Sequence, residues 1–420
     1  MKTARFLHCS DLHLGTPFKG LRRTDEEVAL ALSESTYRAL DNLLAIAIEK
    51  EVDFVLLCGD LFDLEDRNLR PLLHLQRGFR RLFEHGIGVF LICGNHDPLG
   101  SISEMARFPE NVLVFPADTR KWHLKKMKSG MEVALWGMSF LKRAEYRNLA
   151  RLVPDCPENL LRIALLHCTV GSQEGHEPYA PCQLSDLKKA PVDYWALGHI
   201  HKRAHLLDEP VAIYSGNIQG RSFKETGPRG CYLVEVDEDF HIRPSFVETD
   251  VIRWEEIEFD VTGVPDIASF QEILYEETRK TINKVSSRGL ICRIRLSGIC
   301  EFYESICQQE ALDEIVEELN SALFTDGSVL LIEGMVNQAI PALDMERRKE
   351  AGDLAAFVLR EAERLDLDKD FLTRPGGPLS LLFQNRRFKR LGIGLKEDEL
   401  EGIVRQAKHL LIHLLDNPQK

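Results

Sequence analysis

The sequence predicts an α/β fold of two stacked β-sheets flanked by helices, followed by a smaller α+β cap and C-terminal helices. Short apolar runs rich in β-branched residues recur through the first half of the chain, with turns and helical segments between them. Several runs are apolar at every position, as in Phe54-Val55-Leu56-Leu57, which is typical of strands covered on both faces. Two sheets that stack, with helices on the outside, provide such cover.

Nine runs in the first half are predicted strands, at residues 4–9, 53–58, 87–93, 111–115, 132–136, 162–167, 193–197, 211–214 and 231–236. Between the first two we predict a long helix, because apolar residues from Leu40 to Ile48 recur on one face at helical spacing. A second alternation follows, with predicted strands at 254–261, 290–296 and 329–335 and predicted helices at 266–280 and 311–323.

We therefore expect three units: a catalytic domain at residues 1–250, a small α+β cap at 251–340 and a helical region at 341–420. Arg374-Pro375-Gly376-Gly377-Pro378 interrupts the last region, since neither a helix nor a central strand tolerates it. An apolar stripe from Leu400 to Leu414 has helical spacing, which is typical either of a core face or of a docking surface for a partner.

The composition indicates a globular protein, with 420 residues, 44% hydrophobic and 28% charged. A net charge of −13 argues against bulk electrostatic coating of nucleic acid, but leaves room for local basic surfaces at residues 121–128 and 386–390. No stretch reaches the roughly 20 apolar residues of a membrane span, and the first residues lack the apolar core of a signal peptide. We therefore expect a cytoplasmic protein without membrane contact.

The ten cysteines are expected to be reduced thiols and not a disulfide framework. Cys9, Cys58, Cys93 and Cys168 each lie in or beside an apolar run that leads into a polar motif, so one interpretation of them is as thiolate metal ligands. No two cysteines form a CxxC pair, and a free cysteine commonly behaves as a small buried hydrophobic residue. The second interpretation is favoured.

Five predicted strands end in Asp, Asn or His, within Asp11-Leu12-His13, Gly59-Asp60, Gly94-Asn95-His96-Asp97, His167 and Gly198-His199-Ile200-His201. Loops at strand ends let a rigid scaffold aim side chains at a common point. Carboxylate, amide and imidazole groups together are typical ligands of divalent cations such as iron, manganese or zinc. One carboxylate can bridge two ions, and Asp60 is the residue we expect in that role. Each motif is weak evidence alone, but their shared order predicts a metal site.

The order D-x-H, G-D, G-N-H-D, H and G-H-x-H resembles that of the calcineurin-like metallophosphoesterases. The sequences at 7–15, 59–63, 94–97 and 196–201 are most similar to SbcD-type DNA repair exonucleases, including the bacterial YhaO-like group. Residues 214–230 also resemble the segment that closes the catalytic domain in this branch. The resemblance is specific over about residues 1–250 and rests on general layout beyond them.

The resemblance implies two divalent metal ions, with manganese as the family's usual activator. The implied ligands form two sets that share one carboxylate: Asp11, His13, Asp60 and His201 for one ion, and Asp60, Asn95, His167 and His199 for the other. It also implies that His96 is the catalytic acid, and Asp97 is expected to orient it.

Two features depart from the family pattern. Some nucleases of the wider family have a second histidine three residues after the bridging aspartate, where this chain has Asp63. His8, His176 and His205 lie near the motifs but match none of them, and we interpret them as packed or solvent-facing imidazoles.

Three functions from different classes follow. The resemblance implies a DNA exonuclease or endonuclease in DNA repair that works with a separate SMC-type coiled-coil ATPase, since this chain has no GxxxxGK[ST] loop. It also implies a homodimer. The second function is a phosphatase or phosphodiesterase acting on a small molecule or phosphoprotein, and the third is a non-catalytic metal-binding scaffold. The two basic runs and the extra C-terminal residues favour DNA, and His96 beside a full ligand set favours catalysis.

Overall fold

The computed structural model describes residues 3–343, apart from residues 17, 19–25, 64–68, 101–106, 157–158, 173–176, 286–288 and 324–328. Beyond residue 343 it describes only 348–350, 352, 356–357, 359–360, 407–412 and 415. The segment at 374–378, the basic run at 386–390, His176 and most of the 400–414 stripe therefore lie outside the described residues, as does most of the expected helical region.

The described chain divides into two compact units, and the first contains residues 1–255 together with 285–291 and 327–331. Its strands, in chain order, are β1 (Ala4–Cys9), β2 (Phe54–Cys58), β3 (Gly88–Ile92), β4 (Val112–Val114), β5 (His123–Lys126), β6 (Glu132–Gly137), β7 (Leu161–His167), β8 (Tyr194–Gly198), β9 (Ala204–Asp208), β10 (Val211–Tyr214), β11 (Gly230–Val236) and β12 (Ile242–Glu248). Its helices are α1 (Glu26–Glu49), α2 (Arg70–Glu84), a short helix at Leu184–Lys189 and a 3-10 turn at Leu149–Leu152.

These strands form two six-stranded sheets, in the orders β12-β11-β1-β2-β3-β4 and β5-β6-β7-β8-β10-β9. β1 to β4 run parallel in the first sheet, and β6, β7, β8 and β10 run parallel in the second. The remaining neighbours pair in antiparallel fashion: β1 with β11, β11 with β12, β10 with β9, and β5 with β6. The carboxyl ends of the parallel strands within each sheet lie at one edge, where the motif residues follow.

The two sheets pack face to face through a shared apolar layer. Successive residues of β2 point to opposite faces, so that Phe54 and Leu56 enter this layer while Val55 and Leu57 face the helices. Phe54 stacks on Phe6 of the neighbouring strand with ring centroids 4.9 Å apart. The continuous apolar runs of the sequence thus correspond to strands buried on both sides.

Helices and loops cover the outer faces of both sheets. α1 and α2 pack on the first sheet through buried residues such as Leu40, Leu43 and Phe79. The second sheet packs Trp136 and Trp195 against the 3-10 turn and the short helix. The predicted α/β fold of two stacked sheets flanked by helices is confirmed.

The second compact unit contains residues 256–284, 292–326 and 332–420. Between residues 252 and 341 the chain forms, in order, β13 (Ile252–Asp260), a helix at Ile267–Lys284, β14 (Gly289–Ser297), β15 (Ile299–Cys300), helices at Tyr303–Ile306 and Gln309–Leu323, β16 (Leu330–Asn337) and β17 (Ile340–Pro341). β13, β14 and β16 form one sheet, and β15 pairs with β17. Phe259, Phe270 and Phe302 pack together within this unit.

The sequence did not predict the short strands β15 and β17, nor three strands of the two six-stranded sheets, each of which lies at an edge of its sheet. β5, β9 and β12 carry polar and partly exposed residues, so their apolar pattern is weak. The basic run at 121–128 contains β5, and its four lysines are exposed, two of them on this edge strand. Among the helices in the described part of the chain, none is both long and apolar enough to cross a membrane.

Replacing Phe54 by alanine tests the packing between the sheets. The side chain is fully buried in the shared layer, so we expect the free energy of unfolding to fall by about 3–5 kcal/mol. Phe83→Ala is the matched control, because that ring is half exposed on α2. Urea denaturation measures the free energy of unfolding of both variants. An equal loss of stability in Phe83→Ala and Phe54→Ala would contradict this packing.

Candidate metal centre

Four motif residues adopt a backbone conformation that is strained for any residue with a side chain. The φ angles are +52° at Asp11, +42° at His13, +53° at Asp60 and +93° at His199. Such conformations cost on the order of 1–3 kcal/mol each and cluster at functional sites. Their occurrence in three loops at the ends of β1, β2 and β8 indicates that the fold holds these side chains in place against local preference.

Two glycines allow these loops to approach one another. A Cβ at Gly94 would lie 2.2 Å from Oδ1 of Asp60, and a Cβ at Gly198 would lie 2.1 Å from the carbonyl oxygen of Cys58. Both distances are far shorter than a van der Waals contact. The glycine of each motif is therefore required by the close packing of neighbouring strand ends.

Asp11, His13 and His201 form one group, with a ligand-type atom of each within 4.8 Å of the others. Nε2 of His13 lies 3.1 Å from Nε2 of His201 and 3.8 Å from Oδ2 of Asp60. Nε2 of His201 lies 3.9 Å from Oδ1 of Asp11. Two ring nitrogens and two carboxylates that point to one place match the donor set of a divalent cation.

Asp11, Asp60 and His167 form a second group by the same criterion. Nε2 of His167 lies 3.4 Å from Oδ2 of Asp60 and 3.0 Å from Oδ1 of Asn95. The His199 ring lies beside the His167 ring, with centroids 5.1 Å apart. The structure thus brings all seven expected ligands together at one place, with Asp60 between the two groups.

The outer nitrogens of these imidazoles have partners that orient the rings. Nδ1 of His167 lies 2.8 Å from the carbonyl oxygen of Cys58, and Nδ1 of His201 lies 2.7 Å from a carboxylate oxygen of Glu225. Each acceptor requires an N–H on Nδ1, so that the neutral form of each ring has its lone pair on Nε2, directed into the site. Nε2 of His199 lies 3.1 Å from the carbonyl oxygen of Glu177, so this ring would coordinate through Nδ1.

The residues present fit a divalent cation. Nδ1 of His13 lies 3.5 Å from Oδ1 of Asp63, whereas its Nε2 faces His201 and Asp60. Burial lowers the pKa of both His13 and His199 to about 4, so that each ring is neutral and able to coordinate at neutral pH. These observations and the oxygen and nitrogen donors around Asp60 indicate a site built for cations.

His167 differs from the other rings. Burial lowers its pKa, but the neighbouring carboxylate of Asp60 outweighs that effect and raises the pKa to about 9. The pKa of Asp60 is in turn lowered, since the charge of His167 outweighs the effect of burial. In the metal-free protein, a proton on His167 therefore offsets the buried charge of Asp60.

His96 is oriented by Asp63 and not by Asp97, which corrects an expectation from the sequence. Nδ1 of His96 contacts a carboxylate oxygen of Asp63, whose other oxygen accepts a hydrogen bond of 2.6 Å from Thr16. The carboxylate of Asp97 instead accepts backbone N–H groups, at 3.1 Å from Asp60, 2.7 Å from Leu61 and 2.7 Å from Gly94.

The Asp63 contact also affects protonation. Burial lowers the pKa of His96, but the contact with Asp63 outweighs burial, so the pKa of His96 is raised. The pKa of Asp63 is lowered, because its contacts with His13 and His96 outweigh burial. His96 remains partly exposed, with 37% of its side chain accessible. It is thus an imidazole held by a carboxylate at one nitrogen and open to solvent beside the metal groups.

The remaining candidates do not join the centre. His8 is buried and lies 2.9 Å from the Tyr194 hydroxyl, and His205 is exposed beside Asp208, so the interpretation of both as packed or solvent-facing rings is confirmed. All ten cysteines are free thiols. Burial raises the pKa of Cys9 and Cys58 well above the usual value, which keeps these thiols protonated.

Glu225, Asn217 and Arg229 contact His201 or its neighbours and were not singled out by the sequence. They belong to the 214–230 segment, which was recognised only as a closing segment of the domain. A lone glutamate beside arginines has no pattern that distinguishes it from a surface ion pair, so only the fold could identify these contacts.

Comparison with known proteins gives two matching family models. Residues 4–203 match the calcineurin-like phosphoesterases, and residues 254–339 match the middle domain of metallophosphoesterase YhaO. The chain is 37% identical over 318 residues to an uncharacterized metallophosphoesterase, YhaO, of Bacillus subtilis, covering 75% of this chain and 76% of that protein.

A more distant relative is a DNA double-strand break repair protein, Mre11, of Sulfurisphaera tokodaii, with 32% identity over 207 residues. That alignment covers 48% of this chain and 50% of the relative, so the chain matches about half the length of that protein. A solved dimetal phosphatase from Danio rerio aligns at 12% identity and a TM-score of 0.36, covering 58% of this chain and 97% of that one. At that score the likeness adds nothing to the family assignment.

Metal binding is expected to release a proton. Coordination needs the neutral form of His167, whereas its pKa of about 9 keeps it protonated at neutral pH in the metal-free protein. The apparent affinity for Mn²⁺ should therefore fall about tenfold for each pH unit below that pKa, if one proton is displaced. Calorimetric titration in two buffers with different heats of ionisation counts the released protons.

His205→Ala serves as the control for this measurement, because that exposed ring lies outside the centre and its loss should change neither affinity nor proton release. Equal binding heats in both buffers, together with an affinity that does not change between about pH 7 and pH 8.5, would contradict the assignment of the proton to His167.

Proposed function

The chain belongs to the calcineurin-like phosphoesterase family, and on this premise we propose that it is a two-metal-dependent phosphodiesterase that cleaves DNA. The observation that carries the proposal is the convergence of seven ligand-type side chains with His96, the expected acid, on one edge of the stacked sheets. The likeness to relatives named as DNA double-strand break repair proteins supports DNA as the substrate.

In this proposal Asp11, His13, Asp60 and His201 hold one divalent ion, and Asp60, Asn95, His167 and His199 hold the other. Manganese is the proposed ion, because the resemblance to the metallophosphoesterases implies it as the usual activator. Bound ions supply charge neutralisation at the phosphate and a nucleophile at neutral pH. The chain's own contribution is to place these ligands, through loops whose strained conformations the sheets hold.

His96 donates a proton to the oxygen that leaves the phosphate. Asp63 contacts Nδ1 of the ring, so the acidic N–H directed away from Asp63 is at Nε2. The backbone N–H of His96 donates to Oδ1 of Asp60 at 3.0 Å, which ties the position of the acid to the shared carboxylate. The raised pKa keeps a larger fraction of His96 in the acid form at neutral pH.

We further propose a role in DNA repair with a separate SMC-type ATPase, and assembly as a homodimer. The chain contains no phosphate-binding GxxxxGK[ST] loop, so an ATP-dependent step would need another polypeptide. The basic edge at β5 is a candidate DNA-contacting surface, because exposed lysines can neutralise backbone phosphates.

The substrate is tested with purified wild-type and His96→Ala protein in Mn²⁺, on linear double-stranded DNA, single-stranded DNA and bis-p-nitrophenyl phosphate. We expect wild type to degrade DNA and His96→Ala to lose about 10²–10⁴-fold in rate, because general acid catalysis is removed. His205→Ala should retain full activity.

Cleavage of only the small diester by wild type, with or without an added SMC-type ATPase, would contradict the DNA assignment and favour a small-molecule phosphodiesterase. Cleavage of no substrate by a chain that binds two ions would favour a metal-binding scaffold.

Asp63→Asn tests the pairing with His96. An acid must be protonated, so activity falls as pH rises through the pKa of His96. Removing the Asp63 charge lowers that pKa, and the alkaline limb of the pH–rate profile should move to lower pH. Asp208→Asn is a matched control, since it alters a surface aspartate 3.2 Å from His205. An alkaline limb at the same pH in wild type and Asp63→Asn would contradict the pairing.

A further inference from the structure

Glu225 contacts an expected metal ligand, the partly exposed ring of His201, through a largely buried carboxylate. Its Oε1 lies 2.7 Å from Nδ1 of His201. Its Oε2 accepts hydrogen bonds of 2.8 Å from the Asn217 side-chain amide and 2.8 Å from the backbone N–H of Arg221. Because both oxygens are bonded, the carboxylate cannot rotate without losing at least one buried partner.

The same loop also holds the backbone of His201. The guanidinium of Arg229 donates to the His201 carbonyl oxygen at 2.6 Å and to Oδ1 of Asn217 at 3.1 Å. The backbone N–H of Asn217 donates to that carbonyl at 3.2 Å. A Cβ at Gly216 would lie 2.7 Å from it. Residues 216–229 therefore fix both the ring and the main chain of His201 through hydrogen bonds.

The contact with Glu225 decides which nitrogen of His201 carries the proton. A guanidinium nitrogen of Arg221 lies 3.3 Å from Nδ1 of His201 and could donate to it, which would place the ring proton on Nε2 and block coordination there. Glu225 is nearer to Nδ1, and also attracts the same guanidinium, at 3.4 Å. The carboxylate thus favours N–H on Nδ1 and a lone pair on Nε2, toward Asp11 and His13.

The outer ring nitrogens of the other metal group have neutral acceptors among the described residues. The outer nitrogens of His167 and His199 face neutral carbonyl oxygens, those of Cys58 and Glu177. A carboxylate behind a ligating imidazole makes that ring a stronger donor than a carbonyl does. The two ligand groups therefore differ in the charge behind their histidines.

From this geometry we propose that Glu225 is a positioning residue that sets the divalent-cation affinity of the Asp11, His13 and His201 group. It acts through the tautomer and orientation of His201 and leaves the Asn95, His167 and His199 group unchanged. The inference rests on the proposed metal-dependent function and adds a residue that governs one of the two ions selectively.

Glu225→Gln is the informative variant. Glutamine has only one acceptor oxygen, whereas the two oxygens of Glu225 both have partners. If its amide N–H faces Nδ1 of His201, the ring proton moves to Nε2, and this tautomer cannot coordinate through Nε2. Calorimetric titration of metal-free protein with Mn²⁺ should show two sites in wild type. In Glu225→Gln one site should be about 10–100-fold weaker while the other keeps its wild-type affinity.

Asp186→Asn is the matched control. Asp186 is also a buried carboxylate in the first unit, bonded to an arginine, an asparagine and a backbone N–H, and none of its partners among the described residues is a histidine. Its loss should destabilise the metal-free protein, as read from thermal unfolding, without changing either Mn²⁺ affinity. Equal loss of Mn²⁺ affinity in both variants would overturn the proposal, because it would reduce Glu225 to a structural carboxylate.

A double-mutant cycle with His201→Ala separates action through His201 from a general effect. If Glu225 acts through that ring, Glu225→Gln should cause no further loss of affinity in the His201→Ala background. Full additivity, or wild-type affinities in Glu225→Gln, would overturn the inference and leave the metal centre itself intact. A wild-type chain that binds no Mn²⁺ would overturn the proposed function as well.

Discussion

Asp60 places a negative charge where only 1% of the residue is exposed, and a buried carboxylate needs compensation by opposite charge or by hydrogen bonds. The surrounding structure supplies both. Nε2 of His167 lies 3.4 Å away, Nε2 of His13 lies 3.8 Å away, and the backbone N–H of His96 donates to the carboxylate at 3.0 Å. Gly94 has no side chain that would displace it. The side chains of both metal groups are thus arranged around the Asp60 carboxylate.

Asp97 provides the backbone support for that charge. Its two oxygens accept N–H groups from the loop after β2 and from the loop after β3, so one buried side chain joins the two strand ends that carry Asp60 and Asn95. Because these backbone N–H groups hold both oxygens of Asp97, its carboxylate does not contact the ring of the adjacent His96. The His96 imidazole instead contacts Asp63, which lies in the loop that carries Asp60.

Much of the fold could be predicted, because strands buried on both faces produce long apolar runs, as in β2 and β3. Edge strands such as β5 could not, since polar residues on an exposed edge have no distinctive period. The expected ligands could be identified because each lies at or just after the end of a strand, in short motifs that keep one order along the chain. Asp63 and Glu225 could not be assigned, because their roles depend on contacts across 33 and 24 residues of sequence that only the folded chain creates.

The central claim is that Asp60 is shared by two divalent ions. Anomalous diffraction from crystals of the Mn²⁺-loaded protein tests it most directly. The account predicts two peaks, one among Asp11, His13, Asp60 and His201 and one among Asp60, Asn95, His167 and His199. A single peak, or peaks confined to the exposed cluster of Asp237, Asp239 and His241, would contradict it.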